Sequence, residues 1–211
     1  MFIRHLDLTQ MVLTAPVILL ALSFHEFAHA WTADRLGDPT ARAEGRLSLN
    51  PLHHLDLVGT IALFLFGFGW ARPVPINIYF LRRQIRDFAI TALAGPAANL
   101  IAALAFGLLF RLLATGAGGG FLLTVTFLGV WINLGLAAFN LIPIPPLDGS
   151  RVVYYLLPRN LAAEYIKLEP LGMFIVIALL LLDSGTGIIS SWIRLVVSGL
   201  GGLFAGSGFR A

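Results

Sequence analysis

The sequence predicts an all-α polytopic membrane protein, with four to five transmembrane helices and a short re-entrant or extended segment after the first. Three observations predict it. Of the 211 residues, 58% are hydrophobic and only 12% charged, against about 45–50% and about 25% in a soluble domain, so too little polar surface exists to face water on every side. The apolar residues fall into runs long enough to cross a hydrocarbon core of about 30 Å, which takes roughly 20 residues of helix. Short segments holding most of the arginines separate these runs. The length suits one membrane-embedded domain over residues 1–211, because no hydrophilic stretch is long enough for a separate soluble module.

Residues 11–33 form the first run. It follows Arg4 as a signal peptide would, yet it lacks a small-residue cleavage site and contains His25, Glu26 and His29, so it reads as a retained helix. Residues 88–113 form the second, just after Arg82, Arg83, Arg86 and Asp87. Residues 121–142 form the third, ended by Pro143, Pro145 and Pro146, which lack the N–H a helix needs. Residues 171–182 are too short to cross alone and are expected to continue back through 161–169, with Pro170 as a kink. Residues 188–204, rich in glycine and interrupted by Arg194, fit either a fifth span or an interfacial helix. Residues 58–70, with Gly59, Gly67 and Gly69, are too few to cross and read as a re-entrant or interfacial segment. In residues 71–79, Pro73 and Pro75 favour extended backbone. An open edge there could pair with a peptide backbone, or the stretch could be a connecting loop.

The net charge is +3. The arginines sit in the short segments between spans, so they read as topology signals and not as a nucleic-acid surface. Arg35, Arg42, Arg46, Arg72, Arg82, Arg83 and Arg86 lie between the first two spans, and Arg151, Arg159 and Lys167 follow the third. Arg4 and Arg111 fall on the other side. The positive-inside rule then places the amino terminus outside and the Arg-rich loop in the cytoplasm of a cell-membrane protein. No cysteine is present. That excludes disulfides and thiolate metal sites and leaves His, Asp and Glu as ligands.

The chemistry concentrates in His25-Glu26-x-x-His29. Positions four apart share a helix face, so His25 and His29 can present two nitrogens to one zinc ion, with Glu26 within reach of a bound water as general base. A Glu inside an apolar span costs about 2.5–3.5 kcal/mol on insertion scales, and a metal supplies the compensating interaction. A polar channel, or hydrogen bonds from the histidines to neighbouring helices, would be the structural alternative. Zinc needs a third protein ligand beside an open position. Asp148, after the proline-rich break that ends the third span, emerges on the same side as the carboxyl end of the first and could complete the set. A turn with Asp-Gly chemistry is the other reading of that segment. His54 and Asp56 are competitors near the same end.

With these residues the chain resembles the site-2 protease family of intramembrane zinc metalloproteases. The resemblance rests on His25-Glu26-x-x-His29 and on Asn140-x-x-Pro143-x-x-x-x-Asp148-Gly149. It is reinforced by Gly95-Pro96-x-x-Asn99 and by Asn50-Pro51-Leu52-x-His54-x-Asp56-x-x-Gly59-Thr60, all in the family's order over about residues 15 to 185. It implies a three-helix core around one zinc ion per chain, held by His25, His29 and Asp148. It further implies Glu26 as the residue that activates water, Asn140 as a hydrogen-bond partner of the substrate carbonyl, and membrane-spanning protein substrates. A metal-binding membrane protein without hydrolytic activity, such as a metal transporter, is the alternative. Asn99 and Asn133 read as helix-packing amides, and Gly95-Pro96 as a point of close helix approach. His53, His54 and Asp56 read as loop bracing, and Trp31, Trp70 and Trp131 as interfacial or core residues.

Overall fold

The structure, a computed structural model, describes residues 8–66, 70–116 and 120–209. Arg4, Gly67 and Gly69 lie outside the described residues. In chain order the helices are α1 (Leu8–Leu36), α2 (Thr40–Ala43), α3 (Leu57–Phe66), α4 (Gln84–Ala114), α5 (Phe121–Asn140), α6 (Asp148–Leu156), α7 (Arg159–Tyr165), α8 (Gly172–Thr186) and α9 (Ile188–Ala205), with 3-10 turns at Pro51–His53 and Ile166–Leu171. Five segments are long and apolar enough to cross a membrane: Leu13–Leu36, Gln84–Ala114, Phe121–Asn140, Arg159–Asp183 and Ile188–Ala205. The chain is an all-α polytopic membrane protein, and residues 188–204 resolve as a helix long enough for a fifth span. Pro170 sits in the 3-10 turn between α7 and α8, where its missing N–H breaks the regular ladder. α3 has 10 residues, a rise of about 15 Å, too short to cross.

α4 is the central element. It packs on α1, α5, α6 and α9, while α5 also meets α1 and α9. Ala103 of α4, Val130 and Leu134 of α5 and Val197 of α9 are fully buried in one cluster. Lipid tails are as apolar as leucine, so shape complementarity holds such a cluster together more than escape from solvent does. α8 touches mainly α9 and the preceding 3-10 turn. Phe174, Leu181 and Leu182 on it are exposed, as expected of a face turned to lipid.

The ends of these helices are closed by side chains that also place the site. α1 ends at Gly37, whose φ is 114°, and Asp38 N donates back to Ala33 O at 2.9 Å. This is the closure a left-handed glycine permits. The buried Asp38 carboxylate accepts from Thr40 N at 3.0 Å and from Asn77 N at 2.6 Å. It ties the end of α1 to the stretch 71–77. Asp87 caps α4 by accepting from Arg83 N at 2.8 Å. Arg82 N donates to Leu36 O at 3.2 Å, so α1 ends where α4 begins. Residues 72–77 carry no regular secondary structure. Among the described residues the only bridge joins Leu55 to Ala71, antiparallel, so the stretch is not part of a sheet ladder.

Candidate metal centre

His25 and His29, one turn apart on α1, are both buried and point at the start of α6. Their Nε2 atoms lie 3.0 Å apart. Asp148, the first residue of α6, places Oδ2 3.2 Å from His25 Nε2 and Oδ1 3.4 Å from His29 Nε2. Two nitrogens bound tetrahedrally at about 2.0–2.1 Å would be about 3.3 Å apart, so the triangle has the size of a zinc ligand set. Among the described residues this is the one group of three or more His, Asp or Glu side chains close enough to hold a metal.

The hydrogen bonds behind the rings test the fit further. His29 Nδ1 meets Thr91 O at 2.7 Å. A carbonyl only accepts, so this nitrogen carries the proton, and in the neutral imidazole that binds a metal Nε2 is the bare lone pair. His25 Nδ1 meets Asn99 Oδ1 at 2.6 Å, with the same consequence. Two bare lone pairs and a carboxylate therefore face one another. Asp148 Oδ2 is buried with no hydrogen-bond partner. That concentration of negative potential fits a divalent cation.

One face of α4 builds the rear of the site. Thr91, Gly95 and Asn99 are spaced by four and so line up along it. Thr91 and Asn99 hold the two rings, and Gly95 lies between them. A Cβ on Gly95 would come 2.4 Å from His29 Nε2 and 2.6 Å from His25 Nε2. Asp148 arrives through a tight turn. A Cβ on Gly149 would lie 2.3 Å from Leu141 O, so the turn folds directly back on the end of α5.

Glu26 lines a cavity of about 740 Å³ together with His25, His29, Asp148 and Asn140. Its Oε2 accepts a hydrogen bond from Val74 N at 3.1 Å. Val74 is itself fixed, between two prolines and packed with Ala30 and Ala41. Arg46, buried, donates to the carbonyls of His53, Arg72 and Pro73, the last at 3.0 Å. Burial, and then the nearby Arg72, pull its guanidinium below the usual arginine range, while Glu26 and Glu44 oppose the shift. Asn140, the last residue of α5, donates from Nδ2 to Leu136 O at 3.0 Å, which leaves its second amide N–H available to the cavity. The rest of the cavity wall is mostly apolar, with Trp131, Ile132, Met173 and Val176 among its residues.

The other polar residues brace the loop. His54 Nε2 meets Ser48 O at 2.7 Å, and His53 Nδ1 meets Gly45 O at 3.1 Å. Asp56 accepts from Gly59 N at 2.7 Å and so caps α3. None of the three joins the metal-sized cluster. Trp31 is 46% exposed beneath Arg35, whose guanidinium sits 4.9 Å from its ring. Trp70 packs against Gly59. Asn99 differs from the sequence reading: it is not only a packing amide but holds a candidate ligand. The spacing Gly95-Pro96-x-x-Asn99 is the signal that could have found it. Thr91 acts through its main chain and left no signal.

Comparison with known proteins agrees with this chemistry. The model for peptidase family M50 matches residues 114–182. The chain is 41% identical over 180 residues to YwhC of Bacillus subtilis, named as a zinc metalloprotease, covering 81% of each chain. It is 33% identical over 171 residues to Rip2 of Mycolicibacterium smegmatis, similarly named, covering 77% of this chain and 64% of that one. It is 34% identical over 130 residues to MJ0611 of Methanocaldococcus jannaschii, again named as a zinc metalloprotease, covering 62% and 63%. No solved structure matches.

Proposed function

This chain belongs to peptidase family M50, the site-2 protease family of zinc metalloproteases, and we propose that it hydrolyses peptide bonds of membrane-spanning proteins at the centre formed by His25, His29 and Asp148. The observation that carries the proposal is the convergence of three ligand atoms, with Glu26 beside them, on a cavity among apolar helices. We read residues 1–211 as one catalytic domain. Its arginine-rich loop and active site face the cytoplasm of a cell membrane, on the distribution of positive charge.

His25, His29 and Asp148 would hold the ion. Zinc, when bound, lowers the pKa of its water towards about 7 and polarises the scissile carbonyl. Glu26 takes the proton of the attacking water and returns it to the leaving nitrogen. The Val74 N–H keeps its carboxylate aimed in the meantime. Asn140 offers its free amide N–H to the developing oxyanion, an interaction worth about 3–4 kcal/mol in other hydrolases. A substrate helix must unwind locally to present a carbonyl, since a helix spends its carbonyls on internal bonds. The extended stretch 72–77 beside Glu26 offers main chain along which such a segment could lie.

A metal transporter needs ligands but no base beside them, and it needs further sites along a path. Glu26 and the single cluster among the described residues favour the protease. The test is purified chain with a panel of single-span substrates, with and without a zinc chelator. Chelator-sensitive cleavage that Glu26→Gln abolishes is the expected result. Cleavage by Glu26→Gln at the wild-type rate would overturn the mechanism, and cleavage of soluble peptides alone would overturn the substrate class.

A further inference from the structure

The bond from Asn99 to His25 is the last link of a buried chain that begins on α5. Asn133 Nδ2 donates to Gly129 O at 2.8 Å. Asn99 Nδ2 donates to Asn133 Oδ1 at 2.8 Å and to Ala21 O at 3.2 Å. Asn99 Oδ1 meets His25 Nδ1 at 2.6 Å. Asn99 is fully buried, Asn133 is 1% exposed and His25 is 4% exposed, so water offers no substitute partner.

An amide can be turned end for end, and an imidazole can carry its proton on either nitrogen. Here the direction is forced from one end. The Gly129 carbonyl can only accept, so Asn133 must face it with its NH2. That turns the Asn133 oxygen to Asn99, which must then answer with its own NH2. The oxygen of Asn99 is left for His25, whose Nδ1 must carry the proton, and Nε2 is left bare towards Asp148. The Ala21 carbonyl, which like that of Gly129 also serves its own helix ladder, supports the same orientation through a longer bond.

We infer that Asn133 and Asn99 form a one-way amide relay that fixes the tautomer of His25, which makes Asn133, one helix removed from the ligand, a positioning residue for the metal centre. The inference rests on His25 being a zinc ligand. Hydrogen-bond partners behind metal-bound histidines typically change affinity by about 10–100-fold when removed. Asn99→Ala is expected within that range and Asn133→Ala near its lower end. Asn133→Asp is the discriminating variant. A carboxyl buried there stays protonated. Its O–H can then donate to Gly129 O while its C=O accepts from Asn99, preserving the direction.

The experiment uses the full-length chain in detergent. Zinc affinity is measured by competition with a chromogenic chelator. The tautomer is read from imidazole 15N shifts of the metal-free protein, with His25 assigned by its absence in His25→Ala. The expected result is an Nδ1–H His25 in wild type and in Asn133→Asp, both with similar affinity. Asn133→Ala should show a partly Nε2–H ring and zinc binding weaker by about tenfold. Wild-type affinity and tautomer in folded Asn133→Ala would overturn the relay. So would an Asn133→Asp that binds zinc about tenfold more weakly than wild type, an outcome that decides the matter even if Asn133→Ala does not fold. Failure of the wild type to bind zinc, or full binding by His25→Ala, would instead overturn the ligand assignment itself.

Discussion

Gly95→Ala should destroy the metal centre by adding a single methyl group. The new Cβ would sit 2.4 Å from His29 Nε2 and 2.6 Å from His25 Nε2, where comfortable contacts need about 3.5 Å. The rings would have to retreat by about 1 Å, while ligand distances in metal sites hold to about 0.2 Å. They cannot retreat freely, because Thr91 O and Asn99 Oδ1 hold each from its other nitrogen, and breaking such a bond costs about 1 kcal/mol. Zinc affinity is therefore expected to fall at least about 100-fold, the upper end of what loss of an outer partner causes. Cleavage should fall by a similar factor, since a 1 Å misplacement alone costs about 100-fold. Overpacking adds about 1–3 kcal/mol of destabilisation, so affinity must be read beside the melting temperature of the metal-free chain. Gly199→Ala on α9 is the control, because a Cβ there meets nothing within 4 Å. Wild-type zinc affinity in a folded Gly95→Ala would refute the reasoning.

Three further outcomes are expected. Glu26→Gln keeps zinc but loses about 10²–10⁴-fold in rate, the usual worth of a general base, as metal analysis and substrate cleavage on one preparation would reveal. Asp148→Ala loses zinc, whereas Asp56→Ala keeps it and loses only the α3 cap, about 1 kcal/mol of stability; the opposite pattern in metal content would move the site to the first loop. A cysteine at Arg83, in a chain with no native cysteine, should resist an impermeant thiol reagent in intact cells and react once the membrane is opened. Efficient labelling of intact cells would reverse the orientation.

The helices and the candidate ligands were legible for physical reasons. A span must be a long apolar run, so α1, α4 and α5 stood out within a few residues of their ends. His25 and His29 share a face because 3.6 residues make a turn. Asp148 was harder, since its reach depends on a turn that periodicity cannot describe, and only the prolines before it suggested a fixed path. Residues 188–204 could not be placed as a span or an interfacial helix, because glycines and Arg194 weaken the apolar signal. The packing of this helix on α4 and α5, with Val197 and Ala205 buried, is a tertiary property that an apolar pattern does not carry.

Arg46 and Asn99 each do more than their residue types announce. In the sequence Arg46 is one more positive charge on the loop, yet it is 5% exposed and its donors gather three carbonyls. A loop in which no regular ladder forms must satisfy its main chain in some other way, and a planar guanidinium with five donors does so at one point. The consequence reaches the chemistry, because one of those carbonyls belongs to Pro73, and the next residue's N–H holds Glu26. Asn99 counted as glue between helices, which it is, but its oxygen was free for a ligand. In both cases the residue type announced polarity while the partner decided the role. Partners that are main-chain atoms, such as Thr91 O and Val74 N, leave no trace in side-chain identity. The candidate zinc ligands of this chain are therefore easier to find in its sequence than the groups that aim them.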